Sequence, residues 1–378
     1  MKKFLDCISI VGATPSKFHG TKKYVSTGAV ATTEIDESEV VEVTYEDRPS
    51  RANLSAEAGD ILFAKMQGTR KTLLLDSETE ENIYSTGFYA VRANPEVITT
   101  ECLYYLIDSE LFLAQKDKNC SGATQKAITN GGMAKIEISV PALSEQGILV
   151  DKLKHLTQLI ADKKKQLNLF DEIIKSRFIE MFGDPKNNPN GYLEKRLKDT
   201  CRVITGNTPS RAVSEYYGNS IEWIKTDNIV EGMLHPTVAT ESLSEKGLDV
   251  GRTAESDSIL MACIAGSLSS IGRVCVTDRK VAFNQQINAI EPNDYNALFL
   301  YVMLQLSKKY LIEEINMALK GILSKSKLEG KVFIVPPMDL QQQFAAFVEQ
   351  VDKSKLAIQQ SLEKLETLKK ALMQQYFG

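Results

Sequence analysis

The stretch IKSRFIEMFG, Ile174 to Gly183, returns in outline as KKALMQQYFG, Lys369 to Gly378. A shift of 195 residues brings the final Phe-Gly of one stretch onto that of the other. In both places a segment with the apolar spacing of a helix stops at this dipeptide, and Gly is a common residue where helices end. The chain therefore contains the same helix end twice, which points to an internal repeat.

The repeat continues through the rest of the chain. GATPSK, Gly12 to Lys17, is matched 194 residues later by GNTPSR, Gly206 to Arg211. Further pairs in the same order are DILFA (Asp60 to Ala64) with SILMA (Ser258 to Ala262), and ISVPALSEQ (Ile138 to Gln146) with FIVPPMDLQ (Phe333 to Gln341). One shared pair would be chance, but a colinear series indicates duplication. The chain is two copies of one unit, with internal pseudo-two-fold symmetry.

The same order of patterns occurs in both copies. Short apolar runs separated by Gly, Asn and Pro are typical of strands, and a helix-like piece follows them. A proline-marked boundary then leads into a long segment almost free of Gly and Pro, which indicates a long helix. The sequence predicts an α+β fold: two mixed α/β domains at 1–143 and 192–338, long helices at 144–183 and 339–378, and a linker at 184–191.

The two long segments carry a heptad pattern. In the first helix the a positions are all apolar, and in the second helix the d positions are all apolar. Because a rows face d rows in an antiparallel pair, this pattern predicts an antiparallel coiled coil in which Ile160 meets Leu365. The predicted seam consists of Leu153, Ile160, Leu167 and Ile174 of the first helix and Val351, Ile358, Leu365 and Leu372 of the second.

Several a and d positions hold cations instead, including Lys163 and Arg177 in the first helix and Lys355 in the second. In the predicted register each cation faces an apolar or aromatic partner, so that no two cations meet. Lys and Arg can lay their long stems along an apolar surface and keep the charge in water. We therefore expect these side chains to lie along the seam with their charges outside.

Composition and cysteine usage favour a soluble protein of the cytoplasm. Asp6 interrupts the apolar run of MKKFL, so a signal peptide is not expected. The longest apolar stretch, Ile259 to Val276, contains Gly, Ser and Arg273, so no membrane span is expected. The six cysteines are scattered without CxxC spacing, which favours reduced thiols over disulfides or a zinc site. A net charge of −4 leaves room for local basic surfaces.

Known catalytic motifs are missing from the sequence. GATPSK lacks the length and the GK[ST] ending of a phosphate-binding loop, and no GxGxxG follows a strand. The histidines His19, His155 and His235 are isolated from one another and from cysteines. The positions shared by the two copies hold residues that shape a fold, whereas their polar residues differ. We therefore expect no catalytic residue and no metal site, and two recognition domains with different targets.

The sequence resembles a known family. The boundaries PALSEQ (Pro141 to Gln146) and PPMDLQ (Pro336 to Gln341), the GxTPS starts and the GDILFAK strand (Gly59 to Lys65) look like those of the DNA-specificity subunit of Type I restriction-modification systems. The resemblance covers essentially all 378 residues, in the order target-recognition domain, central helix, target-recognition domain, distal helix. The sequence departs from the pattern in two places: Leu340 stands where the first copy has Glu145, and the start before Cys7 is short.

The resemblance implies a non-catalytic subunit of a complex that methylates adenine and cleaves DNA. Its two domains would read the halves of a bipartite, asymmetric site in double-stranded DNA. Its helices would set the spacing and dock the modification subunits. The implied partners are two modification subunits, which bind S-adenosylmethionine, and two restriction subunits, which bind ATP and Mg. No cofactor is expected in this chain.

Basic and amide side chains are the candidates for DNA contact, because Lys and Arg bind phosphates, Arg reads guanine, and Asn or Gln reads adenine. For each one, an ordinary solvated side chain is the alternative. The first-domain candidates are Lys17, Lys22, Lys23, Lys65, Gln67, Arg70, Lys71, Gln125 and Lys126. The second-domain candidates are Asn207, Arg211, Lys225, Asn228, Arg252, Arg273, Lys320, Lys325 and Lys327.

Two other functions fit parts of the sequence. A coiled-coil scaffold whose two domains bind proteins would also lack catalytic residues, but the basic loops in matched places favour DNA. A fused enzyme with its own methyltransferase is disfavoured by the missing motifs and by the length of the chain.

Overall fold

The chain forms two compact units, which are described separately. The first unit contains Met1–Asp162 and Ser361–Gly378, and the second contains Lys163–Gln360. The computed structural model describes residues 1–313, 315 and 321–378.

Two four-stranded sheets form the frame of the first unit. Its strands are β1 (Lys2–Lys3), β2 (Ile8–Val11), β3 (Lys22–Val25), β4 (Val41–Val43), β5 (Ala52–Leu54), β6 (Ile61–Ala64), β7 (Thr72–Leu74), β8 (Ile83–Ser85), β9 (Phe88–Ala93) and β10 (Glu137–Ile138). The sheets have the strand orders β2-β9-β6-β7 and β4-β3-β8-β5, and β1 pairs with β10. The β3–β8 pair is parallel and the β2–β9, β6–β9 and β6–β7 pairs are antiparallel.

Helices follow the sheets in the first unit. They are α1 (Thr100–Ile107), α2 (Glu110–Lys118), α3 (Asn130–Met133) and the start of the long helix α4 (Leu143–Phe182). Thr99 caps α1 by accepting a hydrogen bond from the Cys102 amide, and Ser109 caps α2 in the same way. These caps explain why the helix-like piece in the sequence divides into two short helices.

The second unit repeats this architecture. Its strands are β11 (Leu193–Arg196), β12 (Cys201–Thr205), β13 (Tyr217–Ile224), β14 (Ser242–Leu243), β15 (Thr253–Ala254), β16 (Ile259–Ala262), β17 (Val274–Val276), β18 (Val281–Phe283), β19 (Ile287–Pro292) and β20 (Val332–Val335). Its helices are α5 (Leu197–Thr200), α6 (Glu245–Val250), α7 (Ala297–Leu306), α8 (Lys308–Ile312), α9 (Lys325–Gly330) and α10 (Met338–Phe377). The sheet orders β12-β19-β16-β17 and β14-β13-β18-β15 match those of the first unit, which confirms the predicted repeat and the mixed α/β class.

The repeated ILxA strand lies at the centre of each unit. Every residue of β6 is buried, because Ile61 and Phe63 face the core beneath α1 and α2, whereas Leu62 and Ala64 face the core between the sheets. In β16 all four residues are likewise buried and divide between two cores. A strand covered on both faces reads as a continuous apolar run, which is the pattern that the two copies share.

A buried glutamine anchors the start of each long helix. Gln146 accepts a hydrogen bond from the Thr99 amide at 2.7 Å and donates to the carbonyls of Val97 and Pro141 at 3.0 and 2.9 Å. Gln341 makes the corresponding bonds in the second unit, with the Asn296 amide at 2.9 Å and the Pro336 carbonyl at 2.8 Å. Both side chains are fully buried and satisfied, which explains the Gln that ends each boundary motif.

The Phe-Gly helix ends are buried as well. In the second unit the rings of Phe178 and Phe182 lie 5.4 and 5.6 Å from Phe344 near the start of α10. In the first unit Phe377 of α10 joins the core that contains Leu149 and Leu153 at the start of α4. In each unit the end of one long helix therefore packs beside the start of the other, which is an antiparallel arrangement.

The predicted helix bounds differ from the observed ones by one residue at each end. All ten a and d positions of α10 are buried or half-buried, and on α4 the same holds for every one except Arg177. The pairing of Ile160 with Leu365 and of Leu167 with Ile358 remains a prediction, as does the division into five domain segments. The seam residues Leu153 and Val351 are buried, and Ile160, Leu167, Ile174, Ile358, Leu365 and Leu372 are half-buried.

The seam cations meet the expectation only in part. Arg177 keeps its charge at the surface as expected, where it pairs with Glu180 at 2.8 Å, but the neighbouring Phe178 takes the buried position. Lys355 does not keep its charge outside, because its ammonium is buried and donates to Asp171 at 2.6 Å and to the Gly232 carbonyl at 3.0 Å. A charge-assisted bond within the second unit replaces the expected solvation.

Other expectations concern chemistry and the membrane. All six cysteines are free thiols, and burial raises the pKa of Cys102, Cys201, Cys263 and Cys275 to about 12. Within the described residues, no helix combines the length and the apolar character that a membrane span requires.

We expect Gln341→Leu to lower the free energy of unfolding of the second unit by about 2–4 kcal/mol, because an amide and two carbonyls lose a buried partner. The single tryptophan, Trp223, is buried in this unit, so its fluorescence during urea denaturation reports the transition. Gln342→Leu is the matched control, since Gln342 is exposed beside it. Equal midpoints for the two variants would show that the glutamine is not an anchor.

Candidate nucleic-acid interface

The loop between β6 and β7, residues 65–71, carries four of the first-domain candidates; we call it the first hairpin loop. Arg70 donates from Nε and Nη2 to the two carboxylate oxygens of Asp108, at 3.0 and 2.9 Å. Asp108 is buried, and its hydrogen bonds raise the pKa of the Arg70 guanidinium. The rest of the guanidinium remains available, since Arg has five donors. Arg70 is thus held in one orientation at the surface.

The other candidates of the first hairpin loop are bonded within the unit. Lys65 donates to the Thr86 carbonyl at 2.9 Å and lies 4.3 Å from the ring centroid of Tyr89, and burial lowers its pKa. Lys71 donates to the carbonyl of Thr27, and Gln67 donates to that of Asp117 at 3.3 Å. These side chains first of all fix the loop.

A second segment lies against this loop. The amide of Gln67 donates to the Lys126 carbonyl at 2.9 Å, and Met66 forms a β-bridge with Ala127. Gln125 and Lys126 have exposed side chains. The structure therefore brings together Gln67, Arg70, Gln125 and Lys126, which the sequence separates by more than 50 residues.

The remaining first-domain candidates form surface ion pairs elsewhere. Lys17 lies 3.9 Å from Glu46, Lys22 lies 3.1 Å from Glu81, and Lys23 lies 2.8 Å from Glu37. The bond with Glu37 raises the pKa of Lys23. Exposed pairs of this kind contribute little to stability, so a DNA phosphate can replace the carboxylate partner.

An aromatic and charged cluster marks the second unit. The Arg211 guanidinium lies 4.4 Å from the ring centroid of Tyr217 and 5.1 Å from that of Trp223. Arg211 pairs with Glu241 at 2.6 Å, and Lys225 pairs with the other oxygen of the same carboxylate. Stacking on aromatic faces and a shared carboxylate hold both cations in place.

The two candidate asparagines have structural roles here. Asn228 is buried, accepts from the Lys225 amide at 3.0 Å and donates to Thr237 at 3.1 Å, so it stabilises a turn and does not face solvent. Asn207 accepts from the Arg252 amide at 2.9 Å and donates to the Val250 carbonyl at 2.8 Å. The sequence does not reveal these partners, which lie up to 45 residues away.

A basic groove of about 750 Å³ runs along β12 in the second unit. It is lined by Lys198, Arg202, Arg252 and Lys325, with Glu329 as the single acidic residue of the lining. Arg252 donates to the Thr205 carbonyl at 2.6 Å, and Lys325 lies 3.5 Å from Glu329. Two of these cations were candidates. Lys198 and Arg202 were missed, although the basic run RLKDTCR contains both.

Three candidates remain. Arg273 donates to the Ser270 carbonyl at 3.3 Å within the loop between β16 and β17, residues 263–273, which we call the second hairpin loop. Lys327 lies in α9 beside Lys325. Lys320 lies outside the described residues. Within the described part of the chain, no group of His, Cys, Asp and Glu could hold a metal ion.

Comparison with known proteins adds the decisive observation. The model of the Type I restriction modification DNA specificity domain matches the chain twice, at residues 10–169 and 189–369. The chain belongs to the Type I restriction-modification DNA specificity family. The resemblance seen in the sequence is confirmed, and with it the DNA-binding, target-recognition character of the two repeated units.

Two curated relatives and two solved structures are similar to the chain. The specificity subunit of the MjaIX enzyme of Methanocaldococcus jannaschii is 24% identical, over 76% of this chain and 73% of its own. That of the HindI enzyme of Haemophilus influenzae is 22% identical, over 75% and 76%. The Type I S subunit of M. genitalium superposes with a TM-score of 0.56 at 14% identity, covering 100% of this chain and 95% of the other. A chain from a study of assembly and conformational transition in a type I R-M system gives 0.54 at 20%, covering 98% and 97%.

Acid should release the Arg211 cluster of this specificity-family chain. Hydrogen bonds from Arg211 and Lys225 lower the pKa of Glu241 from the usual 4.5. The pair is therefore intact above the ordinary glutamate pKa and is lost as the pH falls through the lowered value. We expect Trp223 fluorescence to change with a midpoint below pH 4.5.

Glu241→Gln should remove this step, whereas Glu255→Gln should keep it, because Glu255 pairs with Lys280 at the surface. A step that persists in Glu241→Gln would assign the transition to another group.

Proposed function

We propose that this chain is the non-catalytic subunit that directs a Type I restriction-modification complex to a bipartite, asymmetric DNA site. The observation that carries the proposal is the double occurrence of the specificity domain on one frame with two different polar surfaces. One unit presents an arginine held by Asp108 on the first hairpin loop. The other presents an arginine stacked on Tyr217 and Trp223 and, separately, a basic groove. Unlike surfaces on like frames suit two unlike half-sites.

In the first unit, Arg70 and Gln67 are the residues that we propose for base reading. A guanidinium held by a buried carboxylate loses little conformational entropy when it binds, and Arg is well matched to the O6 and N7 atoms of guanine. Gln125 and Lys126 lie beside them and supply further amide and phosphate contacts. Lys17, Lys22 and Lys23 contact phosphates of the DNA backbone.

In the second unit, the basic groove and the Arg211 cluster divide the same tasks. Lys198, Arg202, Arg252 and Lys325 contact phosphates, because a groove lined by one sign of charge attracts a polyanion. Arg211 contacts a base edge when its ion pair with Glu241 weakens. Phosphate contacts position the duplex and base contacts specify the sequence.

The long helices set the distance between the two half-sites and dock the modification subunits. Leu169 and Ile173 are exposed on α4, at 45% and 46%, and Phe347 of α10 lies with them along a shallow apolar groove in the second unit. Apolar residues in a row on the surface of a helix are suited to receive a partner. The partners are two modification subunits with S-adenosylmethionine and two restriction subunits with ATP and Mg, in the cytoplasm.

The test is co-expression with the modification subunit of the same system in a host without DNA methylation, followed by genome-wide mapping of methyladenine. The expected result is one asymmetric motif of two parts separated by a fixed gap of unread bases. Failure of the two proteins to associate would favour the scaffold function instead. A complex that marks no adenine would overturn the assignment of recognition to this chain.

Exchange of residues 1–143 for those of another family member should change one half of the motif and leave the other half and the partner docking unchanged. The reason is that each unit has its own sheets and cores. Mapping of methyladenine reports both halves in one experiment. A change in both halves would show that the two units do not read independently.

Arg202→Gln and Lys325→Gln should each weaken binding of the complex to all duplexes alike. The slope of log K against log salt should fall by about one for each phosphate contact that is lost. Lys246→Gln is the control, because Lys246 is an exposed lysine of the same unit that pairs with Glu215 away from the groove. An unchanged slope in both groove variants would remove the groove from the DNA interface.

A further inference from the structure

Lys116 of α2 is a buried cation with an unusual set of partners. Its side chain is 1% exposed, and its ammonium donates to the main-chain carbonyls of Met66 at 2.8 Å and Thr69 at 3.0 Å. Asp117 Oδ1 lies 3.1 Å from the same nitrogen. A lysine ammonium has three donors and no acceptor. Two of the donors bond to these carbonyls, and the Asp117 carboxylate is close enough for an ion pair without a hydrogen bond.

A lysine is a costly residue to bury in this place. Removal of its ammonium from water costs free energy, which the bonds to the two carbonyls offset. What an apolar residue cannot do is draw two carbonyls to one point. The carbonyls of Met66 and Thr69 belong to the first hairpin loop, and Gly68 between them has a φ of +72°. Lys116 therefore determines the curvature of the loop tip.

Further bonds hold the two ends of this loop. Arg70 is held by Asp108 immediately before α2, and the Lys65 carbonyl accepts from the Ile128 amide at 2.9 Å. The outer face of the loop stays exposed, at 40% for Met66 and 41% for the Arg70 side chain. The loop is thus fixed from beneath and open above, where DNA would lie.

In the second unit a lysine also bonds to a carbonyl of a hairpin loop. Lys308, the first residue of α8, donates to the Ser269 carbonyl of the second hairpin loop at 2.7 Å, and its stem lies below Gly272. The helix α8 occupies the place of α2 in the repeat, but the lysine stands at a different point along it. The two loops share neither length nor sequence, so the common element is a lysine from this helix bonded to loop carbonyls.

We propose that Lys116 and Lys308 are positioning residues for DNA recognition. Lys116 fixes the loop that carries Arg70 and Gln67, and Lys308 fixes the loop that carries Arg273, which we add to the DNA contacts of the second unit. The inference rests on the proposed function and adds to it the residues that orient the reading loops without touching DNA. A preformed loop binds without an ordering cost, and its side chains meet the base edges in one geometry. Loss of the tether lets the loop bind both correct and incorrect bases, while phosphate contacts persist.

The test uses the chain in complex with its modification subunit and duplexes with single base changes in either half of the mapped motif. For Lys116→Met we expect the ratio of affinities for correct and incorrect bases to fall about tenfold in one half only, because two charge-assisted hydrogen bonds are lost. Lys308→Met should do the same in the other half. The unfolding temperature of Lys116→Met should fall, because two buried carbonyls lose their partner, so discrimination is measured well below that temperature. Association with the modification subunit should stay at the wild-type value.

Lys118→Met is the matched control, since Lys118 is an exposed lysine of α2 two residues away, and it should leave both ratios unchanged. Equal discrimination in Lys116→Met, Lys308→Met and wild type would overturn the inference. An equal loss in both halves from either variant would also overturn it, because it would indicate a general structural role. If Lys116→Met fails to fold, the half-buried Lys308 decides alone. A wild-type complex without any discrimination would contradict the proposed function instead.

Discussion

Burial of the ends of the long helices is the constraint on which both units depend. Each helix starts with a buried glutamine that satisfies a loop amide and two carbonyls, and each ends with aromatic residues inside a core. The core of the second unit contains Phe178 and Phe182 of α4, and that of the first contains Met373 and Phe377 of α10. Each unit is therefore completed by a helix whose sequence starts in the other copy of the repeat. Since core truncations of Phe to smaller residues cost about 3–5 kcal/mol, neither unit can lose its borrowed aromatic residues cheaply.

In both units, charged side chains hold the surface loops in place. Lys116, Lys308 and Lys355 all donate to main-chain carbonyls, and two of the three are buried. Arg70 and Arg211 are fixed by carboxylates in different ways, one by a buried aspartate and the other by a glutamate that it shares with Lys225. The apolar skeleton is the same in both units, and these charged contacts are where the units differ. Under the proposed function, recognition of two unlike targets rests on these contacts and not on the fold.

The sequence was sufficient to predict the elements that the two copies share. Periodicity fixes the helices to within one residue, and the paired ILxA strands mark the centre of each unit. It failed at Arg177, because a straight helix drifts by about 20° per heptad and so turns Phe178 into the core in its place. It also failed wherever a side chain finds its partner far along the chain. Asn228 was a candidate for base reading, yet its side-chain amide is hydrogen-bonded within a buried turn. Asp108 orients Arg70 from a position that no local pattern reveals.

The lysine tethers have a consequence for how specificity can evolve. A bond to a carbonyl oxygen makes no demand on the side chain of the residue that supplies it. The sequence and length of a hairpin loop can therefore differ, as they do between the two units, while the same kind of support from the helix below is present. If these loops choose the target as proposed, mutations that alter the choice leave the support of the loop intact. A new loop sequence therefore costs little stability, because the lysine bonds to main-chain oxygens whatever the side chains of the loop are.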